Sequence, residues 1–241
     1  MDEHICKYYC YRKKQKIRPN KIKKGSEIKL VIFDMDGVLI DTISSWKWVH
    51  NCFGVDNKQS VNAYLHGDID DLEFIRRDIS LWRRNGEKAT VHEITEMLNN
   101  IPLTDGVEEC IHILRKHGVK TAIVSAGLDL IAKRISHTLG IDHVVANGIK
   151  ADEAGRLTGD GIVRVGLMKK GESVRRLAKK LGIPLENCAS IGNSCFDLSM
   201  FETCGLGIAF NPEDQCVERG ADVVIKEKDL RKITPILLQN S

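Results

Sequence analysis

The sequence predicts an α/β protein, a doubly wound parallel sheet with a helical segment inserted after its first strand. Three observations carry this. Lys29-Leu30-Val31-Ile32-Phe33 is a short apolar run that ends abruptly in Asp34-Met35-Asp36-Gly37, the pattern of a strand buried on both faces. From Ser45 to Asn100 the apolar residues recur near helical spacing, with Trp46, Trp48, Val49 and Phe53, then Leu72, Ile75, Ile79 and Trp82. From Thr104 onward helix and strand signals alternate, the grammar of a sheet covered by helices.

Within the helical insert Asp70 and Thr90 are helix starts, because a side-chain oxygen there can accept from the free N–H groups of a first turn, and no strand is expected to interrupt it. After it come a helix over 107–116, a strand over 121–125, a helix over 128–139 and a strand over 143–146. Gly155, Gly159 and Gly161 lie between β-compatible stretches and predict a hairpin within 148–165. A helix over 171–181, a strand over 189–191, a helix over 198–202 and strands over 207–210 and 222–225 complete the chain. The expected division is a tail over 1–26, a core from 27–43 and 104–241, and a cap over 44–103. Ligands of such a sheet bind beyond the carboxyl ends of its strands, where the cap must sit.

Length and composition agree with this organisation. The chain has 241 residues, 42% of them hydrophobic and 29% charged, close to the soluble globular average. The formal net charge is +3, but residues 1–28 hold nine Lys or Arg against Asp2, Glu3 and Glu27, so the tail carries +6 and the remainder −3. Nucleic-acid binding by the body is therefore not expected, and any such binding would belong to the basic tail, which is expected to be flexible. No apolar run reaches the roughly 18 residues needed to span a bilayer, and the start of the chain lacks a signal-peptide core, so the protein is expected in the cytosol. Eight cysteines without paired spacing read as reduced thiols, and His4, Cys6 and Cys10 lack a fourth zinc ligand in a recognised spacing. Oligomeric state is not read from the sequence.

The chemistry concentrates at four strand ends. Asp34 and Asp36 form a pair that is costly to crowd without a cation, and oxygen ligands of this charge suit Mg²⁺. One such carboxylate can attack phosphorus while the next serves as general acid and base; the same four residues also suit a helix-capping turn. Ser125-Ala126-Gly127 offers a hydroxyl and backbone donors for phosphate oxygens, or a helix cap. Lys170 at a helix start can place an ammonium beside the carboxylates, or in solvent. Asn193 to Asp197 carries oxygen-bearing side chains that can complete a metal site, or a turn. Trp46, Trp48 and Phe53 read as cap core rather than pocket lining.

Taken in order, these features resemble the haloacid dehalogenase (HAD) superfamily of phosphohydrolases, and Asp34-Met35-Asp36-Gly37-Val38-Leu39-Ile40-Asp41 is similar to its first motif. The resemblance implies a Rossmann-like core with a C1-type cap, and a phosphoaspartate on Asp34 with Asp36 as general acid/base. It also implies Ser125, Ala126 and Gly127 on the phosphate, Lys170 as charge stabiliser, and Mg²⁺ held by Asp34, Asp36, Asn193 and Asp197. Lys170-Gly171-Glu172, the hairpin and the helical cap look most like the phosphoserine phosphatase group.

Two departures stand out. The fourth motif usually has an acid directly after its glycine, and Asn193 removes that charge. In phosphoserine phosphatases a cap glutamate and a cap arginine recognise the substrate, and an ungapped reading puts Ile43 and Asp78 at those places. Arg76, Arg77, Arg83 and Arg84 read as a solvated helix face. The expectation is a Mg²⁺-dependent phosphatase of a small phosphorylated metabolite with altered substrate residues. The alternatives are phosphotransfer to a second hydroxyl, as in mutases, and a weakened scaffold that binds a phosphorylated ligand.

Overall fold

The computed structural model describes residues 27–238; the basic tail with His4, Cys6 and Cys10 lies outside them. Strand β1 (Leu30–Phe33) is buried at every position, as a strand covered on both faces must be. The chain then runs through helices α1 (Ser45–Phe53), α2 (Lys58–His66) and α3 (Asp71–Ser80), strands β2 (Arg83–Arg84) and β3 (Glu87–Lys88), and helix α4 (Val91–Asn99). Helix α5 (Val107–Lys116), strand β4 (Lys120–Leu128), helix α6 (Asp129–Leu139) and strands β5 (His143–Ala151) and β6 (Leu157–Ile162) follow. Helix α7 (Lys170–Leu181), strand β7 (Cys188–Gly192), helix α8 (Leu198–Phe201), strand β8 (Leu206–Phe210), helix α9 (Gln215–Gly220), strand β9 (Val223–Ile225) and helix α10 (Thr234–Leu238) complete it.

Seven strands form one sheet in the order β6-β5-β4-β1-β7-β8-β9. All neighbouring pairs are parallel except β5 with β6, the hairpin expected from the glycines. The order reverses at β1, which pairs with β4 on one side and β7 on the other, and this opens a crevice at their carboxyl ends. Strand β4 also changes register between Ser125 and Leu128, so its backbone bends at the mouth of that crevice.

The helix starts predicted at Asp70 and Thr90 are present. Asp70 accepts from the Glu73 N–H, and Thr90 and Glu93 form a reciprocal capping box. The expectation that no strand interrupts the insert is corrected by the β2–β3 hairpin. Its turn is Asn85-Gly86, both with positive φ (52° and 83°), which such a tight two-residue turn requires. The flanking Arg83, Arg84, Glu87 and Lys88 are charged and exposed, so no apolar alternation marks them as strands. Arg83 and Arg84 therefore stand on a hairpin, not on a helix face.

The insert shares the main apolar core: Val49, Ile75, Ile79, Trp82, Ile94 and Leu98 pack in one cluster with Phe33, Ile123 and Ile191. Helix α3 lies on β6, where a Cβ at Gly161 would come 2.2 Å from the Ile75 side chain; glycine permits that approach. The Val91 N–H donates to the Gly155 carbonyl and the Leu157 N–H to that of Ala89, tying the insert to the β5–β6 hairpin. Cys52, Cys110, Cys188, Cys195 and Cys204 form no disulfide. Cys216 is disulfide-bonded, which corrects the expectation of reduced thiols throughout, because spacing along the chain does not report pairing in space. Among the described residues no helix is long and apolar enough to cross a membrane.

Candidate active site

The crevice gathers the predicted strand-end residues. Asp34 directly follows β1 and is buried, and its Oδ2 lies 2.9 Å from Lys170 Nζ. Lys170 opens α7, is buried, and also donates to Asp197 Oδ1 at 2.7 Å. A buried ammonium thus sits between two carboxylates. Burial alone would lower the Lys170 pKa, but the charges of Asp197 and Asp34 outweigh it and push it up, so Lys170 stays cationic.

Asp34 and Asp36 are also pushed up, which for a carboxylic acid favours the neutral form. Burial, with the Asp197 charge adding, raises Asp34 to about 6, although Lys170 and the Ser125 hydroxyl favour its anion. Burial and the neighbouring Asp34 charge raise Asp36 to about 7, while hydrogen bonds from Ser45 oppose the rise. The Ser45 hydroxyl donates to Asp36 Oδ2 at 3.1 Å. The remaining oxygens, Asp34 Oδ1 and Asp36 Oδ1, are buried without a hydrogen-bond partner. Buried carboxylate oxygens without a partner carry a large desolvation cost unless a cation or a proton meets them.

Ser125 is buried at the bend of β4, and its Oγ accepts from the Gly127 N–H at 3.1 Å. Glycine at 127 leaves room for the site: a Cβ there would come 2.5 Å from Met35 Cε and 2.8 Å from both Asp36 Oδ2 and Ser45 Oγ. The Ala126 carbonyl accepts from Trp46 Nε1 at 3.0 Å and from Asn147 Nδ2 at 3.2 Å. Asn147, buried on β5, also donates to the Val165 carbonyl and accepts from the Arg164 and Val165 N–H groups. Trp46, whose ring stacks on Trp82 at 5.4 Å, is thus core on one side and a brace of the crevice on the other.

Asn193 and Asp197 follow β7. Both Asp197 oxygens are engaged: Oδ1 by Lys170, and Oδ2 by the N–H groups of Asn193 (3.0 Å) and Ser194 (3.1 Å). Its observed task is to hold Lys170 and the loop, and it offers no unpaired oxygen of the kind Asp34 and Asp36 present. Asn193 lies against Gly37, where a Cβ would come 2.1 Å from Nδ2, and Gly37 has a φ of 74°. Asn193 Nδ2 donates to Glu213 Oε1 at 2.9 Å. Burial raises the Glu213 carboxyl, and the charges of Asp197, Asp214 and Asp34 add to this.

Mg²⁺ fits this donor set. Two unpaired buried carboxylate oxygens and a neighbouring amide are hard oxygen ligands, and this ion keeps several waters, so it needs only one or two carboxylates. No cluster of three or more His, Cys, Asp or Glu side chains of metal-holding geometry occurs among the described residues.

The residues doubted as substrate ligands are dispersed. Ile43 is 60% exposed. Asp78 is buried inside the insert, accepting from Asn57 Nδ2 at 3.0 and 3.1 Å and lying 3.4 Å from His50 Nε2. Arg76 pairs with Asp160 and Arg77 with Glu73, both on the surface. Sequence reading missed Ser45, Asn147 and Glu213. Glu213 follows β8 at the same end of the sheet, and that strand-end position was its one available signal.

The family model for haloacid dehalogenase-like hydrolases matches residues 28–205. The phosphoserine phosphatase of Methanocaldococcus jannaschii is 31% identical over 210 residues, which cover 85% of this chain and 95% of that protein. A substrate-bound phosphoserine phosphatase complex superposes with a TM-score of 0.74 at 29% identity, over 88% of this chain and 99% of the other. A phospho-aspartyl intermediate analogue of phosphoserine phosphatase gives a TM-score of 0.72, also at 29% identity, over 88% of this chain and 99% of the other. With the acidic crevice and the α/β sheet, these likenesses establish that the chain belongs to the haloacid dehalogenase-like hydrolases, in their phosphoserine phosphatase group, and that it is a phosphatase.

Proposed function

We propose that the protein is a Mg²⁺-dependent phosphomonoester hydrolase acting on a small phosphorylated metabolite through a phosphoaspartate on Asp34. The observation that carries this reading is the Asp34 carboxylate, buried at the switch point of the sheet, paired to Lys170 through one oxygen and unpartnered at the other. A phospho-aspartyl analogue solved for a similar phosphoserine phosphatase supports the same chemistry here.

Asp34 attacks phosphorus in line, the bond from phosphorus to the leaving oxygen breaks, and Asp36 gives its proton to the departing alkoxide. Water then attacks the phosphoaspartate with Asp36 as base, releasing phosphate and regenerating Asp34. An acid raised to about 7 beside one raised to about 6 suits this split of roles near neutrality. Lys170 offsets charge on the phosphoryl oxygens, and Ser125, Ala126 and Gly127 line the place for them. Asp34, Asp36 and Asn193 would hold Mg²⁺, with Asp197 bracing their loop, and the ion supplies positive charge to the phosphoryl group.

Substrate choice is proposed to differ from phosphoserine, since exposed Ile43 and internally paired Asp78 supply neither the acid nor the base of that group's pattern. The protein is proposed to act in the cytosol. The insert over 44–103 is proposed as the cap that excludes water and selects the leaving group.

Phosphate release from a panel of phosphorylated metabolites including phosphoserine, at millimolar Mg²⁺, tests the reading. Asp34→Asn should keep the native circular dichroism and lose at least about a thousandfold in kcat. Retained turnover in that variant refutes the nucleophile. An isomerised product without free phosphate would favour the mutase, and ligand stabilisation with no turnover the binding scaffold.

A further inference from the structure

The loss of the acid at Asn193 leaves the cation site one charge short, yet the next strand end returns a carboxylate. Asn193 follows β7 and Glu213 follows the adjacent β8, and two hydrogen bonds of opposite sense join them. Asn193 Nδ2 donates to Glu213 Oε1 at 2.9 Å, and the Glu213 N–H donates to the Asn193 carbonyl at 2.8 Å. An ionised Glu213 can only accept, so it fixes the amide with its nitrogen toward Glu213 and leaves Oδ1 at the other end of the group. Asn193 itself is buried against Gly37, the residue after Asp36, where a Cβ would come 2.1 Å from Nδ2 and 3.4 Å from Oδ1. Asp214 is already committed elsewhere: it accepts from the Cys195 N–H at 2.7 Å and caps α9 through the Val217 N–H at 2.9 Å.

We infer that Glu213 is a positioning residue of the divalent-cation site, orienting Asn193 Oδ1 as a ligand and restoring the negative charge that Asn193 lacks. An amide that gives a hydrogen bond to a carboxylate is polarised, and its oxygen becomes a better ligand for a hard cation. The pair thus divides between two residues what one acid does elsewhere in the family. Glu213 is half-buried and meets the site through Asn193. The inference rests on the reading of this crevice as a Mg²⁺ site.

The test is direct cation binding by the EDTA-stripped full chain, with calorimetry for Mg²⁺ and electron paramagnetic resonance for Mn²⁺. Glu213→Gln keeps an acceptor for Asn193 Nδ2 and removes only the charge, so it should weaken binding by about ten- to a hundredfold. Combining it with Asn193→Asp should bring the affinity back to within about threefold of the natural chain. Glu213→Ala, checked for native circular dichroism, should lose at least as much as Glu213→Gln. Wild-type affinity in both single variants, or a double variant no tighter than Glu213→Gln, overturns the inference while leaving the cation reading intact. A natural chain that binds neither Mg²⁺ nor Mn²⁺ overturns the cation reading and this inference with it.

Discussion

Two buried polar clusters in this protein are built on opposite principles. In the insert, Trp82 Nε1 donates to His50 Nδ1 at 2.9 Å, His50 Nε2 faces Asp78, and Asn57 donates to both Asp78 oxygens. His50 Nδ1 accepts that bond, and Nε2 lies 3.4 Å from Asp78 Oδ2 without meeting it in a hydrogen bond. At the strand ends, by contrast, Asp34, Asp36 and Asp197 crowd around the single ammonium of Lys170, and two carboxylate oxygens have no partner. Burial and neighbouring acids push Asp34 and Asp36 up, and in the insert both Asp78 oxygens accept from Asn57. The first cluster specifies how four segments pack. The second is left incomplete, which is what a site that receives a cation and a phosphoryl group requires.

The contrast can be broken most severely at Lys170. Lys170→Met should reduce kcat by about a hundred- to a thousandfold, since it removes the fixed positive charge beside the nucleophile. It should also lower the stability of the folded chain, because Asp34 and Asp197 would face each other across a buried gap. Steady-state kinetics and urea titration read the two effects separately; unchanged kcat would show that Lys170 serves packing alone.

A smaller effect concerns pH in the metal-free protein. The folded state holds protons on Asp34 up to about 6 and on Asp36 up to about 7, while the unfolded chain releases them near 3.8. Between pH 4 and 7 the folded state therefore binds more protons, and these two groups make stability fall as pH rises through that window. Removing the titrating group should remove its share, so the Tm of Asp34→Asn relative to the natural chain should climb from pH 4 to pH 8. A flat difference would show that Asp34 ionises in the fold as freely as in water.

The smallest effect is expected in the insert. Asp78→Ala would strip Asn57 of its acceptor and remove the carboxylate facing His50, and cost about 1–3 kcal/mol in stability. With the variant still folded, kcat/KM should stay within about threefold. A loss of activity much larger than the loss of stability would place Asp78 in substrate selection after all.

Local signals were strong where one segment decides the outcome. The all-apolar Leu30–Phe33 can satisfy its side chains only inside a two-faced sheet, and the Thr90 and Glu93 spacing closes a capping box within one turn. The glycines of the β5–β6 hairpin announced a reversal. Asn85-Gly86 announced one too, but charged neighbours hid its strands, since nothing apolar alternates there.

The sequence by itself determined the alternation of elements and the set of acidic, hydroxyl and lysine side chains that stand at strand ends, because strand burial and turn chemistry act over a few residues. Only the tertiary structure decided that Lys170 bridges Asp34 and Asp197, that Asn147 and Trp46 hold Ala126, and that Glu213 meets Asn193. Those partners lie on strands that the order β6-β5-β4-β1-β7-β8-β9 makes neighbours, and no spacing along the chain encodes that order. Sheet pairing, by bringing distant strand ends to one crevice, sets which charges compensate one another there.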